Sequence, residues 1–150
     1  MSQYIEFFVK SKEDNFTCIA SFSRSNNIYQ ALANIVPYEK ICKLTHTLMA
    51  NAIEKLQETL VKYRRMNLAY QSEITNICTF NNSVEDKLMA IEDITNNIRE
   101  IDEDIDTLDN DIKYLQVLQS MIDEMYYTPD IGLYCGIEVS SPTIDDIVSF

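Results

Sequence analysis

The residues whose spacing is closest to a known chemical motif are the aspartates that begin at position 102. Asp102, Asp104 and Asp106 stand at the first, third and fifth positions of a calcium-binding loop. Such a loop needs glycine at its sixth position and glutamate at its twelfth, where this chain has Thr107 and Lys113. A helical periodicity also runs through these residues without a break. We therefore predict no metal site here.

The acidic residues are concentrated in residues 81–120, which hold eleven acidic and three basic residues in a chain whose net charge is −12. This excess argues against direct binding to nucleic acid or to an anionic membrane, because phosphate binding needs basic residues. The acidic face is either a solvated surface or a recognition surface for a protein partner with a basic surface. The residues predicted to bind such a partner are Asp102, Asp104, Asp106 and Asp109.

A second candidate site lies at residues 21–27, where a predicted strand leads into a predicted helix. Hydroxyls, a guanidinium and the free N–H groups of a helix start could hold a small anionic ligand or a nucleotide. No glycine-rich loop is present, so an ordinary connection with a capping network is the alternative. The residues predicted for ligand binding are Ser23, Arg24, Ser25 and Asn26.

The cysteines and the single histidine have no catalytic or metal-binding spacing. Cys18, Cys42, Cys78 and Cys135 form no CxxC motif, and His46 falls at the end of a helical pattern. We predict mostly buried free thiols, since the chain begins without a secretory signal. We also predict no cofactor, no catalytic residue and a protein that is not an enzyme.

Two long helices must position most of these residues. Apolar residues recur at alternating steps of three and four over residues 49–77 and 91–115. A repeat of 3.5 residues kept for this length is typical of a left-handed coiled coil. Residues 79–83 between them contain asparagines suited to a turn and a serine suited to a helix cap. We predict an antiparallel helical hairpin of residues 39–78 and 84–126.

In an antiparallel pair, the numbers of facing residues have a constant sum. One register places Leu60 opposite Ile101 and Asn67 opposite Ile94. Ile94 cannot satisfy a buried amide, so Asn67 is predicted to lie at an oligomer interface, where it meets the same residue of a second chain. The alternative is that the amide lies at the edge of the seam, the row of apolar contacts between the two helices, and binds water there. The first interpretation predicts a homodimer or a higher homo-oligomer.

Short elements at both ends complete an α+β fold. The first is a β-hairpin of residues 3–10 and 16–22, with Phe16, Cys18, Ala20 and Phe22 on one face of its second strand. A helix of residues 28–36, capped by Asn26 or Asn27, follows the hairpin. Near the end of the chain we predict a strand of residues 133–139, in which Gly136 marks a bulge, and a helix of residues 141–147. The predicted architecture is a long antiparallel coiled-coil hairpin projecting from a small antiparallel β base, which the N-terminal hairpin and the C-terminal strand form.

The chain is interpreted as one domain, with residues 1–38, 39–127 and 128–150 as its base, arm and closing segment. The leading functional hypothesis is a non-enzymatic, cytoplasmic interaction protein that acts as an inhibitor or adaptor. The abundance of Ile, Asn, Lys and Tyr in the chain is typical of an AT-rich genome, and a small acidic chain is typical of a bacteriophage or mobile element. The alternatives are an oligomeric binder of a small anionic ligand near Arg24 and a structural or scaffolding coiled coil.

Overall fold

A computed structural model describes residues 3–149 of the chain. Its elements are β1 (Tyr4–Lys10), β2 (Phe16–Ser23), α1 (Asn27–Leu32), β3 (Ile41–Lys43), α2 (His46–Thr79), α3 (Val84–Met125), β4 (Gly132–Ile137), a 3-10 helix (Ile144–Asp146) and β5 (Ile147–Val148). The fold is α+β, with a five-stranded sheet and two long helices packed against each other as a hairpin. The predicted fold class is confirmed.

The chain divides into two compact units, of which residues 1–56 with 111–150 form the first and residues 57–110 the second. The first unit contains the sheet, whose strand order is β2-β1-β4-β3-β5. Its strands pair antiparallel except for β3 and β5, which pair parallel. Tyr114 of α3 packs on one face of this sheet, with its ring centroid 5.4 Å from that of Phe22 and 6.5 Å from that of Phe7.

The second unit contains the turn of the helical hairpin and the adjoining parts of α2 and α3. The predicted seam is buried here, with Leu60 exposing 6%, Ile94 9% and Ile101 7% of the residue surface. Ser83 caps α3 as predicted, because its Oγ accepts a hydrogen bond from the N–H of Asp86 at 3.1 Å. The two helices pack as a hairpin, and this burial fits a coiled coil.

A β-bulge corrects the predicted face of β2. Phe7 lies opposite Ala20 and Phe8 lies opposite Cys18, so Ile19 is an extra residue in β2. Since Phe7 and Phe8 point to opposite faces of β1, Ala20 and Cys18 also lie on opposite faces. The prediction that alternate residues of β2 share one face is therefore wrong beyond this point.

Several predicted boundaries also change. Helix α2 begins at His46 and not near residue 39, because residues 41–43 form strand β3. Helix α1 ends at Leu32, four residues before the predicted end. The predicted terminal helix is a short 3-10 turn followed by β5.

Gly136 pairs in regular register with Glu6, so it does not form the predicted bulge. A Cβ atom at this position would overlap the main-chain oxygen of Lys40 and would lie 2.6 Å from Cγ2 of Val139. Glycine is therefore needed here for close packing of the main chain.

Candidate functional site

The four aspartates predicted to bind a partner do not lie on one side of α3. An α-helix turns by about 100° per residue, so Asp102, Asp106 and Asp109 lie within about 60° of one another. Asp104 lies about 160° away from Asp102 around the same helix. The predicted surface is therefore divided between two sides of α3, which have different surroundings.

The side of Asp104 carries a longer row of carboxylates, which we name the acidic stripe: Asp86, Asp93, Glu100 and Asp104. These residues follow one another at steps of seven, seven and four, which keeps them within about 40° around α3 and about 6–10 Å apart along it. All four are exposed, and none forms an ion pair within residues 3–149. This row was not among the predicted site residues, although its seven-residue spacing is visible in the sequence.

The side of Asp102 is partly satisfied by the chain itself. Arg64 Nη2 lies 3.8 Å from Asp109 Oδ1. Asp102 Oδ1 accepts a hydrogen bond from Asn67 Nδ2. Arg99 also falls on this side of α3, about 20° from Asp106 and about 60° from Asp102 around the helix. The side of Asp102 is therefore expected to attract a basic partner less strongly than the acidic stripe.

Asn67 is buried in the seam and exposes 8% of its surface. Its Nδ2 donates to Asp102 Oδ1 at 2.5 Å, and its Oδ1 accepts from Gln71 Nε2 at 2.6 Å. The amide is thus satisfied within one chain, and its burial does not require a second copy. The assignment of Asn67 to an oligomer interface stays a prediction.

Replacing Asn67 with leucine is expected to raise the free energy of unfolding by about 1 kcal/mol, because an apolar side chain then faces Ile94 and the exposed Asp102 regains water. Urea unfolding followed by circular dichroism measures this change, and sedimentation measures the oligomeric state, which should not change. Gln71→Leu, at the exposed member of the network, is the control. A change of oligomeric state in Asn67→Leu alone would contradict the intrachain role.

The turn of the helical hairpin and the start of α3 expose four large apolar side chains, which we name the apolar tip: Phe80, Val84, Leu88 and Met89. These four residues expose 54%, 71%, 60% and 67% of their surface. Lys87 occupies the heptad position of the seam nearest to this turn. Its Nζ donates a hydrogen bond to the carbonyl oxygen of Cys78, near the end of α2, at 3.5 Å. Because Lys87 occupies that position, Leu88 remains outside the seam.

The residues predicted to bind an anionic ligand lie together between β2 and α1. Asn26 Oδ1 accepts a hydrogen bond from the N–H of Ile28 at 2.7 Å, which confirms Asn26 as the cap of α1. The hydroxyls of Ser23 and Ser25 are 3.1 Å apart. Arg24 is exposed, and its main-chain N–H donates to the carbonyl oxygen of Gln3. These bonds are those of a capping network; α1 is only six residues long.

A cavity of about 540 Å³ lies in the first unit, beside the start of α2. At its edge, His46 Nδ1 lies 2.8 Å from Asp123 Oδ1, a pairing that the sequence did not reveal. A catalytic relay through this pair would also need a nucleophile. The thiol of Cys42, which precedes the cavity-lining Lys43, is not activated, because burial raises its pKa to about 11. The Thr45 hydroxyl accepts from the N–H of Leu48 and so caps α2. The cavity thus combines a histidine–aspartate pair with a threonine hydroxyl that is engaged in capping α2.

The four cysteines are free thiols, with Cys42 and Cys135 buried and Cys18 and Cys78 exposed. The thiols were predicted to be free and mostly buried. They are free, but only two of the four are buried. Within residues 3–149, no group of three or more histidine, cysteine or acidic side chains is placed to hold a metal ion. No helix in that range has both the length and the apolar character needed to cross a membrane.

Comparison of this chain with protein-family models, with curated proteins and with solved structures finds no match.

Proposed function

We propose that this chain is a non-enzymatic interaction protein that binds a partner with a basic surface through its second unit. The acidic stripe supplies the charge, and the apolar tip supplies the anchor. Both features lie in residues 57–110, on α3 and at the turn that precedes it. The observation that carries the proposal is the row of exposed carboxylates without ion pairs within residues 3–149.

Closely spaced carboxylates of the acidic stripe destabilise the free protein. Like charges four residues apart on a helix, as Glu100 and Asp104 are, repel one another and lower its stability. Neutral polar side chains would also keep the surface soluble, without that repulsion. A partner with clustered lysine or arginine residues relieves the repulsion, and attraction over about 8 Å at physiological salt also speeds encounter.

The apolar tip supports the same interpretation because several large apolar side chains are exposed to water within residues 80–89, and exposed apolar patches are typical of binding surfaces. The residues that dominate a protein interface are usually large apolar side chains that fill a pocket, surrounded by a polar rim. Here Glu85 and Asp86 follow Val84 in the first turn of α3, at about 100° and about 160° from it around the helix, so carboxylates flank this end of the hairpin on other sides. The tip therefore fits an apolar recess whose rim is basic.

A channel that otherwise binds single-stranded nucleic acid combines these two properties, since it pairs a positive groove with aromatic platforms for bases. We propose that class of partner, with the helical hairpin occupying the channel as an inhibitor or adaptor. A bacteriophage or mobile-element origin accords with this role but is not needed for it.

The test compares two variants with the same change of charge. The stripe variant carries Asp93→Asn, Glu100→Gln and Asp104→Asn. The control variant carries Glu103→Gln, Asp106→Asn and Asp109→Asn on other sides of α3. Each is used to capture proteins from the lysate of the native host at low salt. We expect the parent and the control to retain one basic protein that the stripe variant captures at least about tenfold less, as loss of charge complementarity implies.

Two further results bear on this proposal. Single-stranded DNA added in excess should displace the captured protein from the parent chain, because both ligands use one channel. Equal capture by the stripe and control variants would show that the acidic stripe is only a solvated surface. Capture that nucleic acid does not displace would contradict the proposed class of partner.

A further inference from the structure

Strand β2 lies at one edge of the sheet, and within residues 3–149 no strand pairs with its outer side. It is eight residues long, Phe16–Ser23, and contains neither a charged residue nor a proline. Edge strands of soluble proteins are normally protected by charge, proline or a covering element, because their free N–H and carbonyl groups pair readily with another strand. The bulge at Ile19 bends β2 but leaves backbone groups on both sides of it free.

The hydrogen bonds of β1 show which groups of β2 face outward. The N–H of Arg24 donates to the carbonyl oxygen of Gln3, and Ser23 lies opposite Tyr4 in the same register. Antiparallel bonding alternates along a strand, so Ser21 and Ser23 direct their backbone groups away from β1.

Beyond the bulge, the same alternation can be followed on β1. The N–H of Glu138 donates to the carbonyl oxygen of Tyr4, which shows that even-numbered residues of β1 bond on the side of β4. Val9 therefore bonds toward its partner Thr17. It follows that Cys18 and Phe16 direct their backbone groups outward.

We propose that a second copy of this chain pairs with the outer edge of β2 in antiparallel orientation, across a two-fold axis between Ile19 and Ala20. This register places Cys18 opposite the partner's Ser21 and Phe16 opposite the partner's Ser23. All of these residues present outward backbone groups, so each pair can exchange hydrogen bonds. The two sheets then form one continuous sheet of twice the number of strands, and main-chain bonds supply the affinity.

Charge complementarity favours a second copy as the occupant. Glu13 precedes β2 and Arg24 follows it, and neither side chain forms an ion pair within residues 3–149. In the proposed register, Arg24 lies opposite the partner's Asn15 and close to the partner's Glu13. The two-fold axis repeats this opposite-charge pair at both ends of the strand. The inference concerns the first unit and does not depend on the proposed function of the second.

The first experiment compares Ser21→Pro with Ser21→Ala by sedimentation equilibrium in reducing buffer. Proline removes an N–H that β1 does not use, so the fold of the chain should be kept, as circular dichroism and thermal melting would show. We expect a dimer for the parent and for Ser21→Ala. For Ser21→Pro the dissociation constant should rise by about tenfold or more, because hydrogen bonds at the interface are lost.

The second experiment is a charge exchange, which remains informative if Ser21→Pro fails to fold. Arg24→Glu and Glu13→Lys should each weaken the dimer, and the double variant should restore it. A parent chain that is monomeric at sub-millimolar concentration overturns the proposal. A dimer that persists in folded Ser21→Pro, or a double variant that is weaker than both single variants, overturns it as well.

Discussion

Replacing Leu60 with aspartate is expected to unfold the helical hairpin of the second unit. Leu60 exposes 6% of its surface in the seam, so the new carboxylate would be buried without a partner. The expected cost is more than about 3 kcal/mol, which exceeds what an isolated helical hairpin can lose. Far-UV circular dichroism should show a large loss of helix at room temperature.

The matched control is Val61→Asp, at the next residue of the same helix. Val61 exposes 46% of its surface, so an aspartate there remains in water. We expect a change in the free energy of unfolding of no more than about 0.5 kcal/mol. Equal effects at both positions would contradict the observed seam and with it the register of the helical hairpin.

Gly136→Ala is expected to have the second largest effect, in the sheet of the first unit. The added Cβ would overlap the main-chain oxygen of Lys40, and a strand cannot move away without breaking its pairing. We expect the free energy of unfolding to fall by about 3 kcal/mol, as for other severe overpacking in a core. Urea unfolding monitored by tyrosine fluorescence measures this fall.

Gly132→Ala is the control for this prediction, because Gly132 lies in the same strand. There the new Cβ would lie 2.9 Å from Tyr134 Cε2 and 3.4 Å from Lys43 Cε, which are ends of side chains that can shift. A loss of about 1 kcal/mol or less is expected. A Gly136→Ala protein as stable as Gly132→Ala would show that the approach of Lys40 is not tight.

The helical hairpin could be predicted from sequence because its signal repeats many times. Each heptad position from Met49 to Leu115 adds evidence for the same period, and one register accounts for nearly all of them. Strands β3 and β5 could not be predicted in this way. They have three and two residues, too few to show alternation, and they form because β4 and each other supply hydrogen bonds.

The candidate surfaces were only partly predictable. The excess of carboxylates on α3 is visible in the sequence, but adjacency in sequence grouped Asp104 with Asp102, whereas helical geometry separates them. The partner of Asn67 was missed because Asp102 is not the residue directly opposite it in the seam. The bulge at Ile19 was missed because a bulge depends on the pairing of two strands and leaves no pattern in one.

The most direct test of the proposed function is the salt dependence of association. Once a captured partner is purified, its association rate constant with the parent, the stripe variant and the control variant is measured at about 50 mM and about 500 mM salt. We predict a decrease of about tenfold or more for the parent and the control, and a lower and nearly salt-independent rate for the stripe variant. If the stripe variant associates at the same rate as the parent at both salt concentrations, the acidic stripe does not bind the partner and the proposed function is wrong.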